Sequence, residues 1–187
     1  MCYTLVRCPE CDVVYANESP SAVEIENAYH EADYDSREEA MHAAESYEHA
    51  LQQTISSMTD REGALDIGTG TGIFLKRLQN QGFTNLVGVE PSRAAIEAAD
   101  HDIRDCIREG IFLPSSFAPN SLALITCFMT LEHVSDPLSL VRGCVALLKP
   151  GGVMAVVVHD QRAWNNRLLG ARAPIIDIEH LQLFSKI

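Results

Sequence analysis

Positive charge is scarce in this chain. Its 187 residues include 14 lysines and arginines against 26 aspartates and glutamates, which gives a formal net charge of −12. The sequence has no basic stripe that could follow a phosphate backbone or an anionic lipid surface. We therefore expect neither a nucleic acid nor a membrane among its partners.

Long apolar segments are also missing. The chain has no run of about 18 apolar residues, and its N-terminus lacks the layout of a signal peptide. These absences favour the cytoplasm, where thiols stay reduced, so the six cysteines do not indicate a disulfide framework. The 47% hydrophobic content is ample for the core of one domain.

The most informative segment is a glycine-rich stretch, ALDIGTGTGIFL, at residues 64–75. An apolar run containing Asp66 predicts a short buried strand, and helical spacing resumes at Ile73. Glycines between the two allow a sharp turn that brings bare backbone N–H groups close to a ligand. The loop residues are Gly68, Thr69, Gly70, Thr71 and Gly72.

A second apolar run, Leu86–Glu90, also ends in a carboxylate and is followed by Pro91. Glu90 lies 22 residues after Gly68, close to the spacing of about 20 at which an acid meets a ribose diol. Its two oxygens could accept from both ribose hydroxyls. The alternative is an ordinary surface glutamate, which the glycine loop before it disfavours.

This combination resembles motif I of the class I S-adenosylmethionine (SAM) dependent methyltransferases. Three later segments resemble the same family in the same order: TLEHVSDP at 130–137, LLKPGGV at 147–153 and IEHLQLFS at 178–185. The resemblance implies an enzyme that uses SAM and releases S-adenosylhomocysteine. A nicotinamide oxidoreductase is disfavoured, because Ile73 stands where the fingerprint G-x-G-x-x-G needs its third glycine.

Strands and helices alternate with short connections, which predicts an α/β fold with a doubly wound, mostly parallel sheet. It would be Rossmann-like, as in the methyltransferases. We expect strands at 64–67, 86–90, 105–108, 122–128 and 153–158, and helices at 72–80, 92–100 and 136–148. A long helix should begin at the capping box of Ser36, with an apolar stripe of Ala40, Ala44, Tyr47, Leu51, Ile55 and Met58.

Sheets of this family normally have two more strands after the segment that IEHLQLFS resembles. We therefore expect this sheet to lack its last two strands, and an exposed apolar edge favours a homodimer. We divide the chain into an N-terminal segment, residues 1–35, and a C-terminally truncated SAM-binding methyltransferase domain, residues 36–187.

The N-terminal segment contains the pair Cys8 and Cys11, which we interpret as half of a zinc ribbon between two short strands. Methyltransferases with such a ribbon carry two Cys-x-x-Cys pairs, whereas Cys2 here is a single thiol. Four ligands are needed for structural zinc, so a remnant knuckle is favoured over a bound ion, and we name no metal ligands. Tyr29 and Tyr34 lie where relatives have a tyrosine-containing lid, although a core or surface role fits them equally.

The resemblance also implies a cofactor site. The glycine loop and Asp66 would surround the methionine part of SAM, Glu90 would bind the ribose, and the end of the fourth strand would face the sulfonium. Ile111 occupies a position beside the adenine where relatives often have an acid. The full set is Asp66, Gly68, Thr69, Gly70, Gly72, Glu90, Pro91, Ile111, Phe112, Phe128 and Met129.

Candidate catalytic bases are His133, His159 and His180. His159 follows the fifth strand, at the carboxyl edge where open α/β sheets bind ligands. His133 stands beside Glu132, which could orient it. A structural, hydrogen-bonded histidine is the alternative for each.

The sequence therefore predicts methyl transfer from SAM to a small-molecule acceptor, at carbon or oxygen. The resemblance to zinc-ribbon methyltransferases points to a sugar or natural-product intermediate. The alternative is a non-catalytic SAM-fold binding or scaffold protein, because of the missing strands and because Ala123 replaces an acid that the family usually has.

Overall fold

The structure is a computed structural model that describes residues 4–18, 37–176 and 180–186. Its strands are β1 (Leu5–Arg7), β2 (Val14–Ala16), β3 (Glu62–Ile67), β4 (Thr84–Glu90), β5 (Ile107–Glu109), β6 (Leu122–Phe128), β7 (Leu148–Val157) and β8 (Gln182–Leu183). Its helices are α1 (Arg37–Ser57), α2 (Ile73–Asn80), α3 (Arg93–Ala98), α4 (His101–Arg104), α5 (Pro137–Leu147) and α6 (Trp164–Leu169). Short 3-10 turns lie at Pro114–Ser116, Leu131–His133 and Gly170–Arg172.

The five central strands form one parallel sheet in the order β5-β4-β3-β6-β7. This confirms the predicted α/β fold with its doubly wound sheet. The chain moves from β3 outward to one edge and then returns to β6 on the other side of β3. The order of the strands therefore reverses between β3 and β6, where open α/β sheets place a ligand crevice at the carboxyl ends.

Both faces of the sheet are covered. Side chains alternate along each strand, so Leu65 and Ile67 pack on the face that carries α5, while Ala64 packs on the face that carries α1 and α2. Strand β6 is buried along its whole length, with Leu124 and Ile125 on opposite faces. This burial explains why the central strands are continuous apolar runs.

Helix α1 confirms the predicted apolar stripe. Ala44 and Ile55 are buried against α2, and the other residues that pack on this cluster are Tyr47, Leu51 and Met58. The predicted cap Ser36 lies outside the described residues. At α5 the predicted start is confirmed, because the Asp136 side chain accepts from the Ser139 N–H at 3.0 Å.

Two elements differ from the prediction. The predicted helix 92–100 is capped by Ser92, but α3 ends at Ala98 and a separate turn, α4, follows. This break lets Ala99 and Ile103 both pack against Leu75.

The last strand of the sheet starts earlier than predicted. Leu148 pairs with Leu122 and Val153 pairs with Leu124, so residues 149–152 form an irregularity within β7. Gly151, with φ of +82°, allows this bend where the sequence indicated a simple turn.

The N-terminal strands pair with the C-terminal segment. Strands β1 and β2 are antiparallel, and β8 pairs with the other side of β2, giving a second, three-stranded sheet. The predicted boundary after residue 35, the predicted loss of two strands and the predicted homodimer stay predictions. No helix within the described ranges is long and apolar enough to cross a membrane.

Candidate functional site

A cavity of about 340 Å³ opens at the carboxyl edge of the sheet, where the strand order reverses. Its walls come from the ends of β3 and β4, from the segments that follow β3, β4, β5 and β6, and from α5, and they are mainly apolar. This size is within the range of small-molecule sites. The lining residues are Ile67, Gly68, Val89, Glu90, Pro91, Gly110, Ile111, Phe112, Met129, Thr130, His133, Val134, Ser135 and Leu140.

Glu90 is the acid in this wall, at the end of β4. One carboxylate oxygen accepts from the Gly70 N–H at 2.7 Å, and the other accepts from the Ser92 N–H at 2.8 Å. Burial raises the pKa of the Glu90 carboxyl, and these two hydrogen bonds oppose the rise. Each oxygen keeps a further lone pair, so the carboxylate can still accept from ligand hydroxyls.

The glycine loop is held by the protein's own acceptors. The N–H groups of Gly68 and Thr69 donate to the Val89 carbonyl at 2.9 and 3.2 Å, and that of Gly72 donates to the Thr69 carbonyl at 3.0 Å. With Gly70 donating to Glu90, these four amides are satisfied internally. The prediction that the loop offers bare backbone N–H groups is therefore wrong at these four positions. The loop is poorly suited to a pyrophosphate, because these N–H groups already donate within the protein.

Asp66 lies beneath the loop and does not line the cavity. Its two oxygens accept from the hydroxyl groups of Thr126 at 2.6 Å and Thr69 at 2.7 Å. Desolvation raises the pKa of the Asp66 carboxyl to about 6, against the lowering effect of these hydrogen bonds. Asp66 and Thr69 thus tie the loop to β3 and β6.

Gly68 and Gly70 differ in what surrounds them, although both have positive φ angles, +72° and +55°. A Cβ at Gly68 would overlap the side chain of Thr130, whereas one at Gly70 would meet no heavy atom of the described protein within 4 Å. The first glycine is needed for packing of the protein itself. The second faces open space beside the loop.

The three candidate bases form one cluster beside the cavity. The rings of His133 and His180 are 4.7 Å apart, and those of His180 and His159 are 5.2 Å apart. Glu132 is 2% exposed, and one of its oxygens, Oε1, lies 3.0 Å from His159 Nδ1. Of the three histidines, His133 lines the cavity.

A family model of the methyltransferase domain matches residues 37–186. This chain belongs to the class I SAM-dependent methyltransferases. Known members resemble it with moderate identity. The ubiquinone biosynthesis O-methyltransferase of Histophilus somni is 30% identical over 133 residues, which are 65% of this chain and 55% of that protein. The enzyme of that name from Ralstonia nicotianae is 36% identical over 115 residues, 57% of this chain and 48% of that protein. The chain thus spans about half the length of the curated relatives it matches.

Solved structures show the same fold. The YcgJ protein of Bacillus subtilis superposes with a TM-score of 0.55 at 23% identity, covering 73% of this chain and 62% of that one. A SAM-dependent methyltransferase of Thermotoga maritima gives 0.53 at 21% identity, covering 78% of this chain and 72% of that one. At these identities the likeness concerns the fold alone.

Seven of the site residues predicted for this methyltransferase line the cavity, namely Gly68, Glu90, Pro91, Ile111, Phe112, Met129 and His133. Phe128 does not, because its ring packs into the core against Tyr47 and Phe74, with ring centroids 4.4 and 4.9 Å away. Seven further residues line the cavity and were not predicted as site residues: Ile67, Val89, Gly110, Thr130, Val134, Ser135 and Leu140. Three of them, Thr130, Val134 and Ser135, lie inside the segment TLEHVSDP that carried the resemblance. Tyr29 and Tyr34 lie outside the described residues.

The Cys-x-x-Cys pair occupies the turn between β1 and β2. The Cys8 N–H donates to the Val13 carbonyl at 2.9 Å, and the Asp12 N–H donates to the Cys8 carbonyl at 3.0 Å. Backbone N–H groups of Cys11 and Glu10 lower the pKa of the Cys8 thiol. Zinc binding at this pair stays untested.

Proposed function

We propose that this chain transfers a methyl group from SAM to a hydroxyl group of a small-molecule acceptor. The observation that carries the proposal is the cavity at the sheet edge, which joins one buried carboxylate, Glu90, to apolar walls. Such a site suits a ligand with a diol at one end and a flat apolar ring at the other. Adenosine has both features.

The residues present fit the nucleoside part of SAM. Glu90 would accept hydrogen bonds from the ribose hydroxyls. Burial raises the pKa of this carboxyl, and the two hydroxyl donors would help to stabilise its charged form. Ile111 and Phe112 would pack against the adenine, and Leu140 adds to the apolar lining. The internally bonded loop amides also support a nucleoside that carries no phosphate.

When bound, SAM would supply a methyl group on a positively charged sulfur, and that sulfur would keep the electron pair of the broken C–S bond while the acceptor oxygen bonds to the methyl carbon. The chain's own task is to align the acceptor and to exclude water. Met129, Thr130 and His133 line the cavity just after β6, and in this proposal they would contact the acceptor. His133 is our candidate for receiving the hydroxyl proton.

An oxygen acceptor is favoured over carbon by the relatives. Those at 30 and 36% identity are named ubiquinone biosynthesis O-methyltransferases, so hydroxylated rings and sugars are the classes to test first. The formal net charge of −12 supports a small acceptor over a nucleic acid.

A thermal melt tests the cofactor first. S-adenosylhomocysteine at about 100 times its dissociation constant should add roughly 2.7 kcal/mol of stability and raise the midpoint by about 5–10 °C, whereas NADH should not. Acceptor panels of phenols, sugars and carbon acids then report turnover as S-adenosylhomocysteine released. No shift with S-adenosylhomocysteine would refute the proposed cofactor site. A shift without turnover on any acceptor would favour the scaffold alternative.

A further inference from the structure

We infer that Glu132, His159 and His180 bind a divalent transition-metal ion beside the cavity. One ligand atom from each of the three side chains lies within 4.8 Å of the other two. Three atoms that each lie about 2.1 Å from one ion are about 3.4–3.6 Å apart in tetrahedral or trigonal geometry, so the widest separation would shorten by at most about 1.2–1.4 Å on binding.

The second observation concerns the carboxylate. Glu132 Oε2 is buried and has no hydrogen-bond partner in the described part of the chain, although Oε1 accepts from His159. An unsatisfied buried acceptor costs about 1–3 kcal/mol, and more when it is charged. A cation on Oε2 would remove this cost and would balance a negative charge on a side chain that is 2% exposed.

Each of the two rings has one nitrogen that can offer its lone pair to a metal. The Ile175 carbonyl lies 2.9 Å from His180 Nδ1, and because a carbonyl only accepts, that nitrogen carries the hydrogen. His159 Nδ1 faces Glu132 Oε1 at 3.0 Å, a separation that also fits two ligands of one ion, so a bound ion would take the place of the hydrogen in this contact. Histidines that bind metals in proteins commonly donate their other N–H to a carbonyl, as His180 does here.

The backbone fixes the cluster from three separate segments. Glu132 lies in the turn after β6, His159 follows β7, and His180 precedes β8. The Leu181 N–H donates to the Glu132 carbonyl at 2.8 Å, and the Gln161 N–H donates to the Phe184 carbonyl at 2.8 Å. These bonds hold the C-terminal segment against the other two without using the ligand atoms.

Two imidazoles and one carboxylate favour Zn²⁺, Fe²⁺ or Mn²⁺ over Mg²⁺ or Ca²⁺, which prefer oxygen ligands. Three protein ligands leave a coordination position for water or for a substrate oxygen. The His159 side chain is 40% exposed, which gives the ion a path from solvent.

Zinc binding to the purified, chelator-treated chain tests the inference. Measurements use a Cys8→Ser, Cys11→Ser background, so that the thiols of the Cys-x-x-Cys turn contribute nothing. We expect about one ion per chain by equilibrium dialysis and mass spectrometry. His180→Ala and Glu132→Gln should each weaken binding by at least about tenfold, while His101→Ala, which changes an exposed histidine on α4, should not. Co²⁺ absorption provides a second readout of imidazole ligation.

A loss of less than about tenfold in His180→Ala, in protein whose circular dichroism matches that of the background, would overturn the inference. The inference would also be overturned if the background chain bound zinc no more tightly than the His180→Ala variant does. If Glu132→Gln fails to fold, His180→Ala alone decides. The inference does not rest on the proposed methyl transfer. Zinc binding and the thermal shift with S-adenosylhomocysteine are separate measurements on the same protein, and either one can fail while the other succeeds.

Discussion

Replacing Glu90 with glutamine should weaken binding of S-adenosylhomocysteine while the protein stays folded. The carboxylate holds the Gly70 and Ser92 N–H groups with different oxygens, at 2.7 and 2.8 Å. A glutamine has one carbonyl, so one of these donors would face its amide NH₂, and the ribose would lose a charged acceptor. Hydrogen bonds to charged groups contribute about 1.5–3 kcal/mol, which predicts a loss of S-adenosylhomocysteine affinity of about 10- to 100-fold.

The unliganded variant should remain folded. Burial already raises the pKa of the Glu90 carboxyl, so a neutral side chain removes a desolvation cost while it loses one backbone contact. These opposing effects should keep the midpoint within about 4 °C of the wild-type value. Calorimetric titration with S-adenosylhomocysteine and a melt without it measure the two quantities.

The matched control is Glu97→Gln on α3. That glutamate is 67% exposed and pairs with Arg93, so its replacement should change neither affinity nor stability by more than about 0.5 kcal/mol. An affinity of the folded Glu90→Gln variant within about twofold of the wild type would refute the ribose assignment.

Two other predictions concern the glycine loop and the acid beneath it. Gly70→Ala and Gly151→Ala should each cost about 1–2 kcal/mol of stability, because both glycines have positive φ and neither Cβ would meet an atom of the described residues within 4 Å. Only Gly70→Ala should also weaken binding of S-adenosylhomocysteine. Equal affinities in the two variants would contradict a ligand close to Gly70. The pKa of Asp66, raised to about 6 from 3.8, means that the folded protein binds the proton more tightly than the unfolded chain. Stability from this group therefore increases as the pH falls, by about 1 kcal/mol between pH 7 and pH 5, and Asp66→Asn should remove that part in urea titrations. A pH dependence identical in wild type and variant would disprove it.

Much of the fold could be read from local patterns. The apolar runs, the helix caps at Ser92 and Asp136 and the glycine loop each depend on neighbouring residues, so the strand positions were predictable within a few residues. The break after Ala98 was not, because it depends on how Ile103 packs against Leu75, a distant contact. The bend at Gly151 likewise depends on pairing with β6.

For the site, the sequence by itself predicted the loop and the acid at Glu90, since these follow from spacing along one βαβ unit. The family followed from the resemblance of four motifs in order along the chain. Only the tertiary structure decided where the donors and acceptors go. In the folded chain the Gly70 N–H donates to Glu90, and the Phe128 ring packs in the core against Phe74. The tertiary structure also gathers Glu132, His159 and His180, which the chain keeps far apart, because a cluster of side chains depends on how separate strand ends meet and not on their order in the sequence.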